Sequence, residues 1–128
     1  MAGLTPQDIA ALEAEIGCVL PGEARAKYSE GDGYLGPTNC NLLYPFRSDG
    51  DAQFVRVNLL MKSQEWFPSF LSGVAILGDD GCGNYLCFDP TQSRAILWNP
   101  ADGDWIQATF ASMNDLWGHV MKLYESVA

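Results

Sequence analysis

The chain has 128 residues, 48% of them hydrophobic and 18% charged, and seven Lys plus Arg against sixteen Asp plus Glu leave a formal charge of −9. That length suits one domain around one core, and the composition excludes wholesale disorder. So acidic a surface repels nucleic acid and anionic membrane and attracts cationic partners, so direct binding to nucleic acid is not expected.

In chain order, "LTPQDIAALEAEIGCVLP" opens on a helix start: Thr5 caps, Pro6 suits the first helical position, and Asp8 answers free backbone N–H groups. Ile9, Leu12 and Ile16 form one apolar stripe, and Gly17 ends the helix in the left-handed cap. Leu20-Pro21 restarts the chain, and "GEARAKYSE" reads as a short second helix stopped at "GDG". "NCNLLYPF" (39–46) reads as a strand, closed by Pro45 and "RSDGD". In "DAQFVRVNLLMKSQEWF" a helical stripe is expected through Phe54, Val57, Leu60, Met61 and Gln64, with Pro68 as its stop.

From Gly73 the rhythm shifts to short apolar runs separated by turn residues, "DDGCG", "TQSR" and "ADGD". Strands at 73–78, 84–89, 95–99 and 105–109 make an antiparallel meander. "SMNDLWGHVMKLYESVA" is a final helix, started by Ser112 and Asp115 and striped by Met113, Leu116, Trp117, Val120, Tyr124 and Val127. The expected fold class is α+β: a mostly antiparallel sheet packed with N- and C-terminal helices, in one domain spanning 1–128.

No run approaches the ~18 apolar residues of a membrane span, and "MAGLTPQDIA" lacks the basic and apolar regions of a signal peptide, so a cytoplasmic protein is expected. Cys18, Cys40, Cys82 and Cys87 then read as free thiols. Only Cys82 and Cys87 are close in sequence, and His119, the only histidine, is far from both. No zinc set assembles, and neither metal nor cofactor is expected. No nucleophile signature accompanies His119, and Glu13 and Glu15, two apart on a helix, cannot face each other. His119 reads as structural and the chain as a non-enzyme, with no catalytic residues.

The segment "ILGDDGCGNYLCFDP" (76–90) invites a ligand reading and refuses two of them. A calcium loop needs carboxylates where glycines stand here. A phosphate loop needs a lysine and a following helix, but this stretch carries two aspartates and leads into a strand. It reads as a hairpin turn, with Gly81 and Gly83 supplying positive φ.

The order of these pieces resembles a known family. "LP" starting a second helix, "YSEGDG", then "FPSFLSGVAILGDDGCGNYLCFDP", "ILWNPADGDW" and "ATFASMNDLWGHV" are similar to the SUKH superfamily, the Smi/Knr-like domains named from fungal cell-wall-assembly regulators. The most specific element is the G-D-x-x-G-N stretch, here Gly78, Asp79, Gly83 and Asn84, followed by Asp89. Ala24 and Ala26, where members commonly carry bulkier apolar residues, and Cys82, in a turn more often polar, depart from the pattern. The resemblance implies a protein-binding role: bacterial members look like immunity proteins that neutralise a cognate secreted toxin, often a nuclease or other nucleic-acid-directed enzyme. The alternative it implies is an intracellular regulatory or scaffold protein.

In an up-and-down meander alternate connections share one end. Turn one (Asp79, Asp80) and turn three (Asp102, Asp104) would then lie two strand spacings apart, roughly 10 Å. These four carboxylates, with Trp105 as an apolar anchor, form the expected partner-binding rim; Tyr34 and Trp98 are further candidate anchors. Gly78, Gly83 and Asn84 are expected to build the turn.

Overall fold

The computed structural model describes residues 3–102, apart from the Asp102 side chain, and 106–125. Among these, four helices and six strands run in the order α1 (Pro6–Ile16), α2 (Gly22–Glu30), β1 (Tyr34–Leu35), β2 (Asn41–Leu43), α3 (Phe54–Lys62), β3 (Ala75–Asp79), β4 (Tyr85–Asp89), β5 (Arg94–Trp98), β6 (Ile106–Phe110) and α4 (Met113–Glu125). Strands β3-β4-β5-β6 form an antiparallel meander in sequence order, and β1-β2 form a separate two-stranded ribbon. The fold is α+β, with helices at both ends of the described chain.

The helix starts follow their local chemistry. At α1, Asp8 N–H donates to Thr5 Oγ1 (3.2 Å) while Thr5 N–H donates to Asp8 Oδ2 (3.1 Å), a closed capping box. Gly17 ends that helix at φ +71°. At α4, Asp115 N–H donates to Ser112 Oγ (3.1 Å). Met113, Leu116, Trp117 and Val120 are buried; Val127 lies outside the described residues. The α4 stripe is anchored by Trp117 Nε1–H, which donates to the Leu42 carbonyl (2.8 Å).

Two expectations need correction. The strand expected over 39–46 shrinks to Asn41–Leu43. Thr38 and Asn39 take positive φ (56° and 61°) in a 3-10 turn, which no strand accommodates. Beyond the strand, Tyr44 N–H donates to the Leu77 carbonyl (2.7 Å) and so lays the ribbon against β3. The second correction is to α3, whose buried face is Phe54, Val55 and Asn58; Val57 and Met61 are only half-buried and Leu60 is 59% exposed.

Asn58 explains that rotation. Its Nδ2 donates to the Ile76 carbonyl (2.9 Å) and the Phe54 carbonyl (2.9 Å), and its Oδ1 accepts from Ile76 N–H (2.8 Å). The amide thus pairs with both backbone groups of one β3 residue, as a neighbouring strand would. The helix also stops at Lys62, well short of Pro68. Ser63 Oγ (2.7 Å) and Gln64 Nε2 (3.0 Å) both donate to the Leu60 carbonyl, competing for the acceptor that another turn would use.

The four meander strands lie within one or two residues of their expected positions. Interior residues of β3, β4 and β5 are buried in succession, whereas β6 alternates half-buried with exposed. Strands β3, β4 and β5 are therefore covered on both faces, and β6 has one face toward solvent. Gly78 sits where the ribbon crosses β3: a Cβ there would overlap the Asn41 carbonyl oxygen and lie 2.5 Å from that of Leu42.

Candidate functional site

The glycine-rich segment is a closed turn. Gly81 (φ +77°) and Gly83 (φ +96°) supply the left-handed conformations that the β3–β4 connection requires. Asp80 is 3% exposed and points inward. Its Oδ1 accepts from Cys82 N–H (2.8 Å) and Asn84 N–H (3.2 Å), its Oδ2 from Asn84 Nδ2 (2.8 Å), and its own N–H donates to the Asn84 carbonyl (3.2 Å). Asp80 and Asn84 thus hold the turn together. The turn is also tied to α4, because Tyr124 Oη donates to the Asp80 carbonyl (2.5 Å) and lies 3.6 Å from Cys82 Sγ.

Asp79 faces the other way. It is half-buried; its Oδ1 accepts from Gly81 N–H (3.0 Å) and its Oδ2 from the Tyr44 hydroxyl (2.8 Å). Burial first, and then the Asp79 carboxylate, push the Tyr44 phenol far above the ordinary tyrosine range, so it remains a neutral donor. Asp79 and Asp51 line a cleft of about 220 Å³ with Tyr44, Ala52, Val57 and Tyr85. The cleft has two carboxylates and two phenol rings, which suits the stem and head of a cationic side chain.

Asp89, the last motif residue, caps the next turn at the opposite end of the sheet, accepting from Thr91 N–H (2.9 Å) and lying 3.7 Å from Arg94 Nε. The register Asp79↔Tyr85, Tyr85↔Trp98, Trp98↔Ile106 puts the β3–β4 and β5–β6 connections at the same end of the sheet. Asp102 closes the 3-10 turn Pro100–Asp102 within the second connection, while Asp104 and Trp105 lie outside the described residues.

The other aromatic candidates separate. Trp98 is fully buried, with the Phe67 ring edge-on at 5.5 Å and Tyr85 at 5.9 Å, and so belongs to the core. Tyr34 is half-buried, packed edge-on against Trp117 (5.3 Å) under the Lys27 ammonium (4.2 Å). With Leu35, Pro37, Met121 and Tyr124 it lines a mostly apolar groove of about 480 Å³ beside α4. His119 is half-buried with its ring against Phe110 at 5.2 Å. The four cysteines are unpaired. Among the described residues no three His, Cys, Asp or Glu side chains gather to hold a metal ion, and no helix is long and apolar enough to cross a membrane.

Fold and site together define an α+β protein in which the most distinctive motif, Gly78 to Asn84, is structural: it closes a hairpin and carries a ribbon on one side and α4 on the other. The chain belongs to the SMI1 / KNR4 family (SUKH-1), whose model matches residues 3–117. Domains of this family are generally non-catalytic binding domains, and membership is compatible with toxin immunity or with cell-wall regulation. No curated protein matches the chain.

Proposed function

We propose that the chain is a non-enzymatic, cytoplasmic immunity-type protein that binds and neutralises a cognate bacterial toxin with a basic, nucleic-acid-directed surface. The observation that supports this most directly is the acidic cleft of Asp51 and Asp79, set beside the motif turn on a chain of net charge −9. A toxin that grips phosphates presents lysines and arginines, and one such side chain fits between these carboxylates. The partner-binding set also takes in Asp102, Asp104 and Trp105, read from the sequence. Asp80 supports the rim from within by holding the turn.

Charge at the rim acts chiefly on encounter rate. The test is stopped-flow association with the candidate toxin's catalytic domain at low and high salt. Neutralising these carboxylates (Asp51→Asn, and Asp102→Asn with Asp104→Asn) slows association at low salt by roughly 3–10-fold and flattens its salt dependence. On-rates that match the wild type at low salt eliminate the rim. No binding at micromolar concentration eliminates the immunity reading and leaves the regulatory or scaffold role that family membership also fits. A reading frame for a large secreted protein beside this one separates the two roles at the level of the genome.

A further inference from the structure

The meander has two outer edges, and only one of them is closed. On β3, Asn58 takes both backbone groups of Ile76, and Tyr44 N–H donates to the Leu77 carbonyl. Among the described residues no strand pairs with β6 on its outer side, and no backbone bond reaches Thr109 from outside the sheet. Helix α4 does not lie along that edge: it crosses inward, with Trp117 reaching Leu42 and Tyr124 reaching Asp80. The register says which groups the edge presents. In an antiparallel ladder successive residues turn both backbone groups alternately to one neighbour and to the other. Two fixed points set the alternation and agree: Ile76 faces out to Asn58, and Asp80 N–H donates to the Asn84 carbonyl. Followed through Ile76↔Cys87, Cys87↔Ile96 and Ile96↔Thr109, it turns the Thr109 N–H and C=O away from β5 and out of the sheet. Ala108 and Phe110, opposite Leu97 and Ala95, turn theirs inward. Natural edge strands are guarded by lysine, proline or charge. None of these occurs in Ile106–Phe110, and 106–112 is without charge in a chain of −9.

We propose that β6 pairs with β6 of a second copy of the chain, antiparallel about a two-fold axis at Thr109, so that two four-stranded meanders become one sheet. Unpaired N–H and C=O groups on an extended backbone call for another strand, and this strand is complementary to itself. Thr109 N–H of each copy donates to the Thr109 carbonyl of the other. In that register Phe110 lies opposite Ala108 of the second copy, and Ala108 opposite its Phe110. A large ring thus meets a small side chain twice, on the face where both residues are only half-buried. On the other face the two exposed threonines meet, a favourable cross-strand pair. A charged edge would drive apart two copies of net charge −9; this edge carries no charge to repel. Because β3 is closed by Asn58 and Tyr44, pairing ends at two copies and does not propagate into a filament. The proposal does not depend on the toxin.

Sedimentation velocity on the full chain between about 1 and about 500 µM tests it, a range suited to an interface smaller than the standard size. The expected result is a monomer that becomes a dimer as concentration rises. Amide hydrogen exchange, read by NMR at about 50 µM and about 1 mM, locates the contact: the Thr109 amide slows about fivefold or more in the concentrated sample. The Ala108 and Phe110 amides, held by β5, are slow in both. Thr109→Pro removes the outward N–H and leaves the ladder to β5 in place, and Thr109→Lys adds a guarding charge. Both variants stay monomeric throughout; if the proline variant loses the wild-type circular dichroism, the lysine variant decides. A wild type that is monomeric at about 500 µM overturns the proposal, as does a dimer that the folded variants leave intact. A Thr109 amide equally slow in the dilute sample overturns it too, since the edge would then be closed within one chain. Protection of Thr109 that requires a different protein likewise overturns it, and assigns the edge to that protein.

Discussion

Asn58 offers a direct measure of how the fold is locked. Its side chain is the sole partner described for the outward-facing N–H and C=O of Ile76, at 2.8 and 2.9 Å, and the residue is fully buried. Truncation to alanine orphans both groups, at about 1–3 kcal/mol each, so a loss of roughly 2–6 kcal/mol is expected. The Phe54 carbonyl keeps its helical partner and adds little. Asn58→Leu fills the volume and keeps water out, so it falls toward the upper end; Asn58→Ala leaves room for a water and falls toward the lower. Against a typical stability of about 5–15 kcal/mol the leucine variant gives up a large share of the folding free energy. Urea unfolding, followed by tryptophan fluorescence and with the slope unchanged, reads both values. A loss below about 1 kcal/mol in the leucine variant would refute the argument, since it would mean that the amide replaces no essential backbone pairing.

Three further outcomes follow from the same structure. Gly78→Ala forces a methyl against the Asn41 and Leu42 carbonyls, which are backbone and cannot swing aside, so the ribbon separates from β3 and the melting midpoint drops by about 5 °C or more; a midpoint within 1–2 °C of wild type contradicts the crossing. The Tyr28 and Tyr44 phenols are pushed above the ordinary range by burial first and by Asp32 and Asp79 second. Their contribution is whole below the unfolded phenol's pKa of about 10 and is lost as pH rises above it, so stability falls on the alkaline side; Tyr28→Phe with Tyr44→Phe flattens that slope, and an unchanged slope removes both groups as its cause. Thiol labelling at pH 8 gives one fast equivalent, from exposed Cys82. Cys18, Cys40 and Cys87 are buried, Cys87 with its pKa pushed up to about 12, so a second fast thiol surviving Cys82→Ser contradicts that burial.

Much of the architecture is legible in the sequence, because it rests on short-range chemistry. The Thr5–Asp8 box, the Gly17 stop, the Ser112 cap and the positive φ of Gly81 and Gly83 all depend on residues within a few positions of one another. The meander was readable for the same reason, since each apolar run is bounded by its own turn residues. The short β1 strand was not: Tyr34–Leu35 is too brief for a periodicity and exists because β2 pairs with it. The apolar spacing of α3 likewise pointed to Leu60 as a core residue, and nothing local signalled that an asparagine would face inward.

At the candidate site the sequence determined that acidic residues gather in the turns and that the glycines between them bend the chain. Only the tertiary structure distinguished the two adjacent aspartates. Asp80 is consumed by the backbone of its own turn; Asp79 reaches Tyr44, 35 residues away, and shares a cleft with Asp51. Likewise it sent Trp98 into the core and left Trp66 at the surface. Turns and caps are set by hydrogen bonds between near neighbours, which composition and spacing encode. Burial and exposed charge are set by what packs from elsewhere in the chain, which spacing along one segment does not contain.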